Sequence, residues 1–507
     1  MNRIDRVLVT LLLLFTLAVF GSAAALAGQA PEPEGRVRAD APTAAVQPST
    51  QSKSAPAPDG TASPPELFFV RPEGAKGPLV AYDMSDGREY FTLPAGMLSA
   101  DGQHYYAAHT LMPSNTFPLN MLPANGWTLR LRSPLPSVGD FAGQAYGAAM
   151  PPPGSTRLDA FDSGTGNLER SFVLDDDWAL SGVSPSGRWL ALTRIAAPLR
   201  LPPSERGEGE GGQAWASPPL RYEDLRKAGQ WKTSIQIVDA DSGQVVHVLN
   251  LDGNFEVETI SADGKSLFLV QHLPAVNPDH YLIRLYDLSR EQLLVDPLRA
   301  KGADEVMAGL AWDGIASPDG RWLLTLYLST RRNVAFIHAL NLHDKYPVCL
   351  DLPSGNGDPA GRGASSFDLL KHYTIALSPD GRKAYATNPV LGVVAEVGLN
   401  QLQVMRAVTF DAGIMTKYAP GSSRSLVSKD GRALYFSSGP VLWRYDIASR
   451  TVSAPQAVSA PIVGLGLSGD DQRLYVAGKD GSLMILDAAT GQVLSLSGTE
   501  AVHTPSN

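Results

Sequence analysis

The chain has 507 residues, 44% hydrophobic and 18% charged, and its 48 glycines and 39 prolines break it too often for long helices. The formal charge is −9, and removing residues 1–27, whose Arg3, Asp5 and Arg6 sum to +1, leaves −10 on the rest; no basic stripe is present to meet phosphate, so no nucleic-acid partner is expected. A single cysteine, Cys349, excludes an intramolecular disulfide, a haem held through paired cysteines and a multi-cysteine metal site, and its expected place is a small buried apolar side chain.

The first residues, Met-Asn-Arg-Ile-Asp-Arg, precede an apolar run from Val7 to Phe20 and a small-residue stretch ending at Ala27. That layout is a secretory signal peptide over 1–27, with Ala25 and Ala27 where a signal peptidase reads. The stretch is also long enough to span a bilayer, so the alternative is an uncleaved membrane tether through residues 7–27. Either way the body is expected outside the cytoplasm, whether periplasmic, cell-surface or secreted. No cysteine follows the run to carry a lipid, and no arginine pair marks the twin-arginine route. Residues 28–65 are Ala, Pro, Ser, Thr and Gln with almost no aromatics, which predicts a disordered linker.

After Glu66, short apolar stretches alternate with turn residues, a strand signal. A Ser-x-Asp-Gly-like turn recurs at Ser99-Ala-Asp-Gly, Ser184-Pro-Ser-Gly, Ser261-Ala-Asp-Gly, Ser317-Pro-Asp-Gly, Ser378-Pro-Asp-Gly, Ser428-Lys-Asp-Gly and Ser468-Gly-Asp-Asp. In each, Asp can cap its own backbone and Gly supply positive φ. A second unit follows each anchor, a strand ending in an apolar-Asp pair such as Phe161-Asp162, Val238-Asp239, Tyr445-Asp446 or Leu486-Asp487, then a turn and another strand. Anchor plus hairpin makes four antiparallel strands. The fold class is therefore all-β, a β-propeller of seven or eight four-stranded blades over 66–498, with 499–507 a disordered tail. Seven anchors give seven blades; Leu67–Val70, Leu79–Asp83 and Glu89–Leu93 add an eighth hairpin without an anchor.

Ser317-Pro-Asp-Gly-Arg-Trp-Leu and Ser378-Pro-Asp-Gly-Arg-Lys-Ala-Tyr resemble the repeats of the WD-repeat-like, TolB-type and YVTN-type propeller families. The resemblance spans about 66–498 and implies the fold; such repeats serve enzymes, receptors and scaffolds alike. TolB-type proteins carry an α/β domain before the propeller, and the segment before Glu66 is too short and polar to supply one.

Alternating strand direction places the anchor and apolar-Asp turns on one face. The other receives the long insertions Met112 to Ser155, Ala197 to Trp231, His272 to His280, Pro353 to Phe367 and Ala412 to Ser423. Within the second of these, Glu205 to Gln213 reads as flexible and Arg221 to Gly229 as a short helix, a lid or docking arm. One-sided expansion is how a rigid scaffold builds a binding surface, although insertions also drift to whichever loops tolerate growth. Seven residues past each anchor stand His109, Arg194, Gln271, Tyr327, Asn388, Ser438 and Gly478. The six polar ones are expected to ring the expanded face as a ligand mouth.

Gly-x-Ser-x-Gly, His-Glu-x-x-His and phosphate-cradling glycine patterns are absent. His338 and His343 lie on opposite faces of a strand, Asp239-Ala-Asp241-Ser-Gly243 reads as a hairpin turn rather than a calcium loop, and Asp175 to Asp177 as a solvated inter-blade loop. No catalytic residue, metal or cofactor is assigned. The expectation is a binding or scaffolding propeller whose expanded face takes a protein, peptide or glycan. The alternatives are a metal-assisted lactonase-like or hydrolytic enzyme, for which His109, Asn388 and Arg194 are the candidates, and a propeller subunit of a periplasmic dehydrogenase.

Overall fold

The computed structural model describes residues 66–72, 77–99, 102–110, 151–152, 154–194, 232–273, 280–299, 307–329, 332–354, 366–411 and 423–497. The signal peptide, tether and linker expected before residue 66, the helix at 221–229 and the tail at 499–507 lie outside them.

Eight antiparallel sheets follow one another along the chain as the blades of a propeller. Blade 1 comprises Leu67–Val70, Leu79–Asp83 and Glu89–Leu93. Blade 2 runs Met97–Leu98, His104–Thr110, Ser155–Asp162, Leu168–Asp175, and blade 3 Trp178–Val183, Trp189–Arg194, Lys232–Asp239, Val245–Asp252. Blade 4 has Asn254–Ile260, Ser266–His272, His280–Asp287 and a broken outer strand formed by Gln292–Leu293 and Met307–Ala308. Blade 5 runs Leu310–Ala316, Trp322–Ser329, Val334–Asn341, Tyr346–Asp351, and blade 6 Thr374–Leu377, Lys383–Asn388, Val393–Gly398, Gln403–Thr409, preceded by a short helix, Ser366–Leu370. Blade 7 has Arg424–Val427, Ala433–Ser438, Val441–Asp446 and an outer strand split into Thr451–Val452 and Gln456–Ala457; blade 8 runs Ile462–Leu467, Arg473–Gly478, Leu483–Asp487, Val493–Ser497. The sequence left seven and eight blades open, and the fold has eight. No described helix is long and apolar enough to cross a membrane.

The recurrent anchor is a hydrogen-bonded unit. In blade 7 the Ser428 hydroxyl donates to Asp430 Oδ1 at 2.6 Å and accepts the Ala433 amide at 2.9 Å, while Asp430 Oδ1 accepts the Arg432 amide at 2.9 Å. Blades 5, 6 and 8 repeat the pattern at Ser317, Ser378 and Ser468. The glycine at the third step has φ near +70° in six blades, and Asp471 takes that position at +58° in blade 8.

The hydrophobic core lies between blades rather than at one centre. Leu324, Leu326 and Leu328 of blade 5 pack with Ala384 and Ala386 of blade 6, and Ile235 and Ile237 of blade 3 with Val257 and Leu267 of blade 4. Each such leucine, sealed from water, is worth about 2 kcal/mol. Blade 8 closes on blade 1 in the same way, with Tyr475, Ala477 and Ile485 against Phe68, Val70 and Val80. Tyr475 Oη donates to the Met84 carbonyl at 2.5 Å, as Tyr435 Oη does to Ala488 at 2.7 Å one blade earlier, so the last blade treats the first as its next neighbour.

Cys349 corrects the sequence reading: it is exposed, not buried. It sits on the outermost strand of blade 5, which has no strand beyond it to cover that residue. Its sulfur still lies 3.6 Å from Nδ1 of the wholly buried His338, and desolvation of the sulfur, helped by Asp351, pushes the thiol pKa up to about 11.

Candidate functional site on the long-loop face

On one face, links from innermost to second strand and from third to outermost strand are tight turns such as 428–432 and 447–450. The links from second to third strand and from blade to blade leave the opposite strand ends, and include 111–154, 195–231, 273–279, 352–373 and 410–423. The two longest, 111–154 and 195–231, connect the second and third strands of adjacent blades 2 and 3.

At the foot of the first of these links lies a charged cluster. His109 Nε2 is 3.2 Å from Asp159 Oδ2, which also accepts Arg157 Nε at 3.0 Å and lies 2.8 Å from Arg157 Nη2. Ser171 Oγ donates to the other carboxylate oxygen at 2.7 Å. Asp159 is 2% exposed: burial pushes its pKa up, but the close approach of His109, the Ser171 hydrogen bond and the charge of Arg157 outweigh this, so the carboxyl is held below its ordinary value. The cluster arises because the second, third and outermost strands of blade 2 set His109 opposite Arg157 and Asp159 opposite Ser171. Beside it, Thr110 Oγ1 donates to Asp177 and Arg194 Nη2 donates to Asp176 at 2.8 Å, tying the inter-blade loop to both blades.

All six expected residues lie at or within two residues of the long-loop end of a second strand. Their surroundings divide them. His109, Arg194 and Gln271 retain solvent contact, the last accepting Arg284 Nη1 at 2.6 Å. Tyr327 is 3% exposed and stacks between Tyr281 and Phe336, with ring centroids 4.7 and 5.4 Å away. Asn388 is fully buried, its Nδ2 donating to the Leu369 carbonyl at 2.9 Å and its Oδ1 accepting the Leu391 amide at 3.0 Å. Ser438, also fully buried, has its Oγ 3.4 Å from His372 Nδ1.

Counting strand ends finds His109 and Arg194 but misses Arg157 and Asp159. Their signal was two charges alternating within the third strand of blade 2, whose partner is fixed only by cross-strand register.

A second polar group, also missed, joins the innermost strands. Asp313 Oδ2 of blade 5 accepts the Thr374 hydroxyl of blade 6 at 3.0 Å, and Thr374 Oγ1 lies 3.3 Å from Ser425 Oγ of blade 7. Arg424 Nε of blade 7 then donates to the Val463 carbonyl of blade 8 at 2.9 Å. Burial raises the Asp313 carboxyl above its ordinary value, against the hydrogen bonds from Ile375, Thr374 and Gly314. With those bonds filled, the arc stitches blades 5 to 8 together around the axis. Among the described residues no three or more His, Cys, Asp or Glu side chains converge to hold a metal.

No protein-family model matches the chain, and no curated protein matches it. Solved structures similar to it include dihydro-heme d1 dehydrogenase NirN in complex with DHE, at 14% identity, covering 87% of this chain and 74% of that one, TM-score 0.45. Apo AztD from Citrobacter koseri is similar at 12% identity over 86% of this chain and 95% of that one, TM-score 0.43. Kuenenia stuttgartiensis hydrazine synthase is similar at 11% identity over 66% of this chain and 93% of that one, TM-score 0.36.

Proposed function

We propose that the protein is an exported propeller that binds a protein, peptide or glycan on its long-loop face, with the site centred over blades 2 and 3. The observation that carries this reading is that the two longest links, 111–154 and 195–231, leave from neighbouring blades 2 and 3, and that the strand ends flanking the first hold the His109, Arg157 and Asp159 cluster. A rigid base with long adjacent links is the arrangement by which a scaffold presents a variable recognition surface. Export is supported by the signal-like residues 1–27.

The test is affinity purification of the natively expressed, exported protein with mass spectrometry of bound partners, repeated on a chain lacking 197–230. A stoichiometric partner lost from the shortened chain is the expected result. A shortened chain that is folded and retains every partner overturns the reading.

A hydrolytic reading is favoured by one observation: a buried carboxylate, Asp159, contacts the imidazole of the part-exposed His109, as in pairs that orient a general base. It predicts that His109→Gln abolishes a turnover that the wild-type chain displays; the binding reading predicts no turnover in either.

A further inference from the structure

Blades 4 and 5 meet over an apolar cluster that includes Phe268, Ile283, Leu323 and Leu340. Beside it, strand register and blade packing bring three soft donor side chains together. On blade 5, Cys349 of the outermost strand stands opposite His338 of the third. On blade 4, Met307 of the broken outer strand stands opposite Tyr281 of the third. Packing the two blades leaves Cys349 Sγ 4.0 Å from Met307 Sδ and 3.6 Å from His338 Nδ1.

His338 is wholly buried, and its Nε2 has no hydrogen-bond partner. Tyr281 and Tyr327 flank its ring in edge-on contacts, with centroids 6.1 and 5.9 Å away. A thiol at 3.6 Å is a weak hydrogen-bonding partner, so packing alone makes this imidazole costly: an apolar side chain would seal the same interface without an orphaned nitrogen. A buried imidazole with Nδ1 aimed at a sulfur calls for another use.

We propose that Cys349, Met307 and His338 form a three-coordinate site for a soft monovalent cation, copper(I). An ion bonding sulfur at about 2.3 Å and nitrogen at about 2.0 Å, with its ligands about 120° apart, sets sulfur and nitrogen about 3.7 Å apart and two sulfurs about 4.0 Å apart. The contacts in the protein, 3.6 and 4.0 Å, already have that spacing. The donor set chooses the ion. A neutral thioether bonds weakly to hard or doubly charged ions, whereas copper(I) favours thiolate, thioether and imidazole together. Among the described residues no third His, Cys, Asp or Glu joins Cys349 and His338, so neither a zinc tetrahedron nor the two-imidazole set of copper(II) electron-transfer sites is completed.

Binding replaces the S–H bond of Cys349 with a sulfur–copper bond and releases the proton to water. Met307 and His338 donate lone pairs without any change of protonation, the imidazole keeping its proton on Nε2. The ion has a way in, because Cys349 is exposed and Met307 only half-buried. The site lies on blades 4 and 5 and shares no residue with the blade 2 cluster, so it is independent of the long-loop reading.

The test is anaerobic titration of the full chain with copper(I) against a chromophoric chelator, read also by the thiolate-to-copper charge-transfer band in the ultraviolet. The expected result is one tightly held equivalent accompanied by the band. Cys349→Ser should abolish both. Met307→Leu keeps the volume of a half-buried side chain and removes only the thioether, and should weaken affinity about tenfold or more. Failure to retain copper against the chelator, affinity unchanged in either variant, or zinc(II) held as tightly as copper(I) would overturn the assignment.

Discussion

Gly320 has φ +66°, and nothing lies within 4 Å of where its Cβ would stand. Replacing it with alanine therefore meets no neighbour and isolates the cost of the left-handed backbone; Gly320→Ala should lower stability by about 1 kcal/mol in urea titration, with an unchanged m-value. Cys349 gives a second residue-scale expectation. It is exposed, yet its thiol pKa is pushed up to about 11, so little thiolate exists at neutral pH. Its reaction with a disulfide reagent should be slow at pH 7 and accelerate steadily to pH 10. A fast reaction at pH 7 would show that the sulfur is better solvated than its contact with His338 implies. Spacing alone could not show this, because exposure depends on which strand is outermost. For the same reason His109 was legible from its place in the repeat, whereas the partner that sets its ring, Asp159, depends on the register between two strands separated by residues 111–154.

The anchor is the element the sequence displays best, since its chemistry is local: serine, aspartate and glycine at fixed steps are both the motif and the hydrogen-bonding unit. In blade 5 the Ser317 hydroxyl accepts the buried Trp322 amide at 2.8 Å and donates to Asp319 at 2.5 Å. Ser317→Ala removes both partners and should cost roughly 1–2 kcal/mol, comparable to loss of a helix cap. The blade number was ambiguous because Leu67–Val70 has no anchor immediately before it in sequence, and a reader counting anchors stops at seven. Only the bond from Met84 to Glu66 shows that this strand occupies a standard place.

Taken as a whole, the molecule buries bases as well as carboxylates. Burial lowers the pKa of His338 and of His372 to about 4 from an ordinary 6.5. Between those values the unfolded chain binds protons that the folded chain does not, so stability rises with pH and is lost as pH falls from 6.5 toward 4. Each histidine contributes on the order of 3 kcal/mol across that window. The turn aspartates, including Asp430 and Asp446, are held below their ordinary range, by the Ser428 hydroxyl and by the Ser449 amide and hydroxyl respectively, and their contribution is lost only at still lower pH. Denaturant midpoints should thus decline between pH 7 and pH 5, before the carboxylates titrate. A flat profile over that interval would show that these imidazoles protonate without unfolding the protein.

The hydrogen bond from Tyr475 to Met84 joins residues 391 positions apart. Every other blade boundary can form as soon as its two neighbours have been synthesised, but this one waits for the last blade to leave the ribosome. Until then the chain is an open arc with two unsatisfied ends, behaving as a repeat array whose units can dock, slip or pair with another molecule. Nucleation can begin anywhere along the arc, yet the high separation of the closing contact makes it the entropically expensive step of folding. Once formed, it removes both ends at once, so fraying cannot start at a terminal repeat and unzip inward as it does in a linear solenoid.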